Sequence, residues 1–173
     1  MIPSWNRVGD SNERPLDTGR VTGPDVPCYS CEHNAHLGSA PADEAIFVED
    51  GWVVAHSFNS ALPGWLVVVP LRHVESLHEL EEDEARALGG LLRRVSAALI
   101  KVVGCAKTYA VMYAEMPGFN HLHVHVIPRA IDLPKELQGA RIFDYLHRPE
   151  AEWVTQPVRE QIAVALRRAA TLS

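Results

Sequence analysis

The sequence predicts one domain that mixes β-strands with helices, and three observations carry that expectation. Short β-prone runs succeed one another between residues 45 and 69 and again between 107 and 127. A long stretch of helical apolar period separates the two groups, and 173 residues suffice for one full hydrophobic core rather than two. At 47% hydrophobic and 22% charged residues, the composition is that of a folded protein. No apolar run approaches the roughly 18 residues of a membrane span, and the opening MIPSWNRVGDSNERP lacks the charged-then-apolar layout of a signal peptide. A cytoplasmic protein is therefore expected.

Residues 1–27 carry Pro3, Pro15, Pro24 and Pro27 with Gly9, Gly19 and Gly23 and show neither apolar period, so they read as a flexible extension ahead of a single domain over 28–173. Ala45 to Val48 and Trp52 to Ala55 are β-prone runs flanking Glu49-Asp50-Gly51, the signal of a tight hairpin. Pro63-Gly64 turns the chain into Trp65 to Val69, a continuous apolar run suited to a central strand covered on both faces and stopped by Pro70. From Glu79 to Val103 the set Leu88, Leu91, Leu92, Val95, Leu99 and Val102 recurs at three and four, with acids early and Arg93, Arg94 and Lys101 late, as a helix dipole prefers. Lys107 to Ala114 and His121 to Ile127 read as the fourth and fifth strands, the latter closed by Pro128. In Val158 to Ala170, Ile162, Leu166 and Ala169 share a stripe, which predicts a short C-terminal tail helix.

Sixteen basic against 22 acidic residues give a net charge of −6, the wrong sign for a general binder of nucleic-acid backbones. Three cysteines are too few for a disulfide framework, but Cys28 and Cys31 stand in a C-x-x-C spacing open to metal or redox work. Cys105, Trp5, Trp52 and Trp65 read as structural residues, and His56, His78 and His147 as surface or loop residues.

The chemistry concentrates in His121-Leu122-His123-Val124-His125-Val126-Ile127. Side chains two apart on a strand share a face, so three imidazoles would line one side at roughly 6.5 Å intervals while Leu122, Val124 and Val126 face the core. Each neutral ring has a donor and an acceptor to satisfy and titrates near neutrality, which favours catalysis or metal binding over packing. The spacing does not choose between the two.

This segment closely resembles the signature of the histidine triad (HIT) family of nucleotide hydrolases and transferases: His, apolar, His, apolar, His and two further apolar residues. Pro128-Arg129 follows the same pattern, and Pro63 to His73 resembles the family's glycine-led strand ending in proline, a basic residue and His. The resemblance spans about residues 28–129. It implies an α+β fold with a five-stranded antiparallel sheet, one long and one or more short helices, and sheets paired in a homodimer. It also implies that His123 attacks the α-phosphorus of a nucleotide to form a nucleotidyl-histidine that water releases, and that His125 hydrogen-bonds the phosphoryl oxygens or leaving group. A His at the third place favours hydrolysis over transfer to a sugar phosphate. The substrate class would be a nucleoside phosphoramidate or a dinucleoside polyphosphate, the nucleotide partner carrying adenine or another purine.

Zinc-containing relatives combine a C-x-x-C pair with a His after the Pro-Leu-Arg-like segment and the first triad His. By that resemblance Cys28, Cys31, His73 and His121 would hold one structural Zn²⁺ per subunit, with His33 and His36 as rival ligands. Met116-Pro117-Gly118-Phe119-Asn120 departs from the Gly-Gln and hydroxylic residue of many relatives, leaving Gly118 and Asn120 as candidate phosphate contacts. The acidic residue that often holds the ribose hydroxyls, just after strand two, is not evident, and Ser57 or Asn59 is the nearest candidate. Two other readings compete: a nucleotide- and zinc-binding module on the same scaffold with weak catalysis, and a metal enzyme using all three histidines as ligands.

Overall fold

The computed structural model describes residues 28–116 and 118–171, so the reading of 1–27 as a flexible extension lies outside the described residues. Five strands, β1 (Phe47–Glu49), β2 (Trp52–His56), β3 (Leu66–Pro70), β4 (Lys107–Tyr113) and β5 (His123–Arg129), form one antiparallel sheet in the order β1-β2-β3-β5-β4. The β1–β2 hairpin closes on Asp50 and Gly51, both at positive φ (48° and 80°), the primed turn whose twist matches the strands it joins. The fold is α+β, as expected.

The pleat sorts the sheet into two surfaces. Trp52, Val54, Leu66, Val68, Val124 and Val126 face a core completed by Leu88, Leu91, Val95 and Leu99 of α2 (Glu82–Val103) and by Ala163 and Leu166 of α3 (Gln156–Thr171). The opposite surface presents Val53, Ala55, Val67, Val69, His123 and His125 to a cavity. Ala55, Val67 and His125 stand in one cross-strand row, so the third triad histidine lies directly opposite Val67 of β3.

Several boundaries differ from expectation for local reasons. The long helix begins at Glu82 rather than Glu79, because Glu81 and Glu84 form a capping box; Gly104, at φ 70°, ends it. Proline stops one central strand as expected and not the other. Pro70 is the last residue of β3, paired with Trp52, whereas Pro128 lies within β5 and pairs with Thr108 on the β4 side, beyond the last residue matched to β3, where no second ladder needs its missing N–H. β5 starts at His123, so His121 precedes the strand instead of belonging to its face. A short helix, α1 (Tyr29–Ala35), carries Cys31, and short 3-10 helices at 135–137, 139–146 and 150–152 connect β5 to α3; neither feature has a periodic signal long enough to read.

His56 is a correction: it is buried at the end of β2, not a surface or loop residue. Its Nδ1 bonds the Ser57 carbonyl oxygen at 2.8 Å and its Nε2 accepts from the Gly64 N–H at 2.9 Å, pinning the β2–β3 connection. Burial pushes its pKa down to about 4, which keeps the ring neutral.

Candidate active site and metal centre

His121 turns its ring toward the N-terminal segment. Its Nδ1 lies 3.6 Å from Sγ of both Cys28 and Cys31, and His73 Nδ1 lies 3.2 Å from Cys31 Sγ. All four donor atoms fall within 4.8 Å of one another. Zinc bonds of about 2.1–2.3 Å to nitrogen and sulfur give tetrahedral edges of about 3.4–3.8 Å, so this donor set fits Zn²⁺ in both chemistry and spacing. The far nitrogens fit as well. His121 Nε2–H donates to the Pro70 carbonyl oxygen at 2.9 Å, which leaves Nδ1 as the lone-pair atom, and His73 Nε2 faces Glu75 Oε1 at 3.7 Å. Burial holds His121 neutral, down to about 4, while burial and the neighbouring Cys28 push the Cys31 thiol up to about 11. A cation is what would draw the thiol proton off.

The rival ligands do not join the cluster. His33 faces Glu44 at 3.4 Å and lines the cavity, and His36 is absent from the donor set among the described residues. His121 clusters with the cysteines rather than with His123 and His125, which separates the metal centre from the other two triad rings.

Those two rings stand on the cavity wall, centroids 4.8 Å apart and nearly perpendicular at 82°. His123 Nδ1–H donates to the His121 carbonyl oxygen at 2.8 Å, so its Nε2 carries the lone pair. His125 Nδ1 accepts from the indole Nε1–H of Trp65 at 3.0 Å. Burial first, then the neighbouring His123, pushes His125 down to about 3, and it stays neutral at physiological pH.

The cavity holds about 310 Å³. The sheet is its floor. Tyr29, Phe58 and Phe119 pack together on its wall, with ring centroids 5.4 Å apart for Tyr29–Phe58 and 5.2 Å for Tyr29–Phe119. Phe143 packs edge-on against His125 at 5.2 Å. Of the four candidate nucleotide contacts beyond the triad, Ser57 and Asn59 are on the lining, joined by a 3.0 Å bond from Ser57 Oγ to Asn59 Oδ1. Gly118 and Asn120 are not part of the lining; Met116 and Phe119 represent that segment, and the Gly118 carbonyl oxygen instead accepts from the Tyr29 N–H at 3.0 Å. Glu44 and Glu115 also line the cavity, and no lysine or arginine does among the described residues.

Trp65, Tyr29, Glu44, Phe58 and Phe143 carry no sequence signal that marks them as site residues. Trp65 sits in an apolar run and is fully buried, so its indole N–H had no visible partner until β5 was laid beside β3.

The chain matches the family model described as HIT domain over residues 40–131. Among solved structures it is similar to a zinc-bound histidine triad family protein from Mycobacterium smegmatis, at 19% identity, 83% coverage of this chain and 94% of that one, and a TM-score of 0.59. It is similar also to a hypothetical histidine triad nucleotide-binding protein from Sulfolobus tokodaii (18% identity, 82% and 93% coverage, TM-score 0.62). A third similar structure is a uridylyltransferase mutant (19% identity, 82% of this chain and 47% of that one, TM-score 0.58). At such identities the likeness is one of fold.

Proposed function

The chain belongs to the histidine triad (HIT) family of nucleotide hydrolases and transferases, and from that premise we propose that it hydrolyses nucleoside phosphoramidates through a nucleotidyl intermediate on His123. The observation that carries the reading is the held ring of His123: Nδ1–H is committed to the His121 carbonyl oxygen at 2.8 Å, leaving an Nε2 lone pair on the wall of a 310 Å³ cavity. A neutral imidazole so held needs no deprotonation before attack, and dividing one displacement into two lowers each barrier.

In the first step the Nε2–P bond forms as the P–N bond breaks, and the leaving nitrogen takes a proton from solvent, which the attacking water gives back in the second step. In the second, water cleaves the Nε2–P bond. One water is consumed, and a nucleoside monophosphate and a free amine are released. His125, next to His123 on the same wall, meets charge on the phosphoryl oxygens or the leaving nitrogen. Ser57 and Asn59 would contact the sugar, and Tyr29, Phe58 and Phe119 offer faces for a purine.

Charge favours the phosphoramidate over a dinucleoside polyphosphate. Among the described residues, a lining with two carboxylates and no lysine or arginine suits a phosphoryl group with one negative charge and an amine leaving group better than a polyanionic chain. Cys28, Cys31, His73 and His121 would hold a structural Zn²⁺ whose chemistry is bracing: it ties α1, which supplies Tyr29 and His33 to the cavity, to the residue whose carbonyl orients His123. We place the protein in the cytoplasm as a homodimer with one zinc per subunit, β4 being one of the sheet's two edge strands, with β1, that could meet a second copy.

The test is to quench a reaction with adenosine 5′-phosphoramidate and map the adduct by peptide mass spectrometry. An adenylyl group on His123, lost in His123→Ala, is expected. Retained nucleotide binding without adduct or turnover would point instead to a binding module.

A further inference from the structure

Building on the hydrolase reading, we infer that Trp65 is a positioning residue: its indole N–H, given to Nδ1 of His125 at 3.0 Å, fixes His125 as a hydrogen-bond donor toward the cavity. The step is one of proton accounting. An indole nitrogen only donates, so the imidazole nitrogen it meets must be the unprotonated one. In a neutral ring the single N–H then lies on Nε2. With Nδ1 occupied, Nε2 is the ring nitrogen left to meet a ligand, and it presents a proton.

The backbone sets His123 the other way. Its Nδ1 donates to the His121 carbonyl oxygen, so its Nε2 presents a lone pair. Two identical side chains, two residues apart on one strand, are thus held in opposite tautomers. One Nε2 attacks phosphorus; the other donates to the oxygen or nitrogen on which charge collects. With the opposite tautomer, His125 would set a lone pair against phosphoryl oxygen lone pairs.

The geometry is stiff. Trp65 is fully buried in a cluster with Ile127, Leu133 and Ile142, and its ring meets His125 edge-on at 5.7 Å and Phe143 edge-on at 5.2 Å. His125 also meets Phe143 at 90°. Of Trp65 and Phe143, which box the imidazole edge-on, only the indole carries a polar hydrogen, so removing that hydrogen alone tests the claim.

Two replacements at position 65 remove it: Trp65→Phe, and β-(3-benzothienyl)alanine, whose sulfur stands where the indole N–H was and which preserves shape if phenylalanine fails to fold. Nitrogen-15 spectra of histidine-labelled protein read the tautomer of His125 directly. The expected result is a pure Nε2–H form in the wild type and a mixture in the variants, with kcat for the phosphoramidate down about 10-fold and KM within about 2-fold. An Nδ1–H form in the wild type, or an unchanged tautomer in the benzothienyl protein, overturns the inference. The spectra decide this even if no substrate is turned over, an outcome that would sink the hydrolase reading alone.

Discussion

His121 holds His123 by its backbone, carbonyl oxygen to Nδ1 at 2.8 Å, while its own ring stands among Cys28, Cys31 and His73. One residue therefore belongs to the metal centre through its side chain and to the active site through its main chain. Cys28→Ser or Cys31→Ser is expected to lower zinc content from about one per chain to near zero, read by elemental analysis. Nucleotide affinity should fall about 10-fold or more as Tyr29 and His33 lose their anchor. Full metal content in both variants would mean that the cluster is not the ligand set.

The charge of the cavity sets a second expectation. With Glu44 and Glu115 on the lining and no lysine or arginine there among the described residues, kcat/KM for an adenosine phosphoramidate should exceed that for a diadenosine polyphosphate by about 100-fold or more. Glu115→Lys should narrow the ratio by improving the polyphosphate. Equal rates on the two substrates in the wild type would remove the argument from charge.

His56 makes stability depend on pH. Its folded pKa, pushed to about 4 by burial, lies below the unfolded value near 6.5. As pH falls the unfolded chain takes up the proton first, so stability is full above about pH 6.5 and declines until the folded ring also protonates near 4. Between pH 7 and 5 the expected loss is about 2 kcal/mol from this residue alone. Urea denaturation at both pH values checks it: His56→Gln should be less stable at pH 7 yet lose less on acidification. A variant with an unchanged acid slope would refute the assignment.

Much of this was legible in the sequence, because strands of 47–56 and 66–70 and the helix 82–103 declare themselves by apolar period and turn chemistry. Local signals mislead where long-range pairing decides. Pro128 looks like a strand end but sits within β5, paired with Thr108 past the last residue matched to β3, where no second ladder needs its N–H. His56 looks like a loop residue until Gly64 and Ser57 close on both its nitrogens. α1 has seven residues, too few for a period, and the aromatic wall assembles from Tyr29, Phe58, Phe119 and Phe143, four segments far apart in the chain. The triad was legible as chemistry; which nitrogen each ring presents was not, because that depends on a carbonyl and an indole brought in by folding.

The pair that docks α3 gives a last expectation. Arg159 Nε donates to Asp43 Oδ2 at 2.7 Å, and its NH1 donates to the Val154 carbonyl oxygen at 2.8 Å; Asp43 is only 1% exposed. Removing the guanidinium leaves a buried carboxylate without its counter-ion, which costs about 3–5 kcal/mol, more than the pair itself is worth. Arg159→Met should therefore be strongly destabilising. Adding Asp43→Asn should recover a large part of the loss, since the uncompensated charge goes with it. Because Asp43 also accepts the His56 N–H through its backbone, at 2.7 Å, the single variant should loosen the β2 end beside the cavity, and the double variant should restore it. Equal stability of Arg159→Met and the double variant, measured by urea unfolding, would show that the helix is docked by its apolar stripe alone.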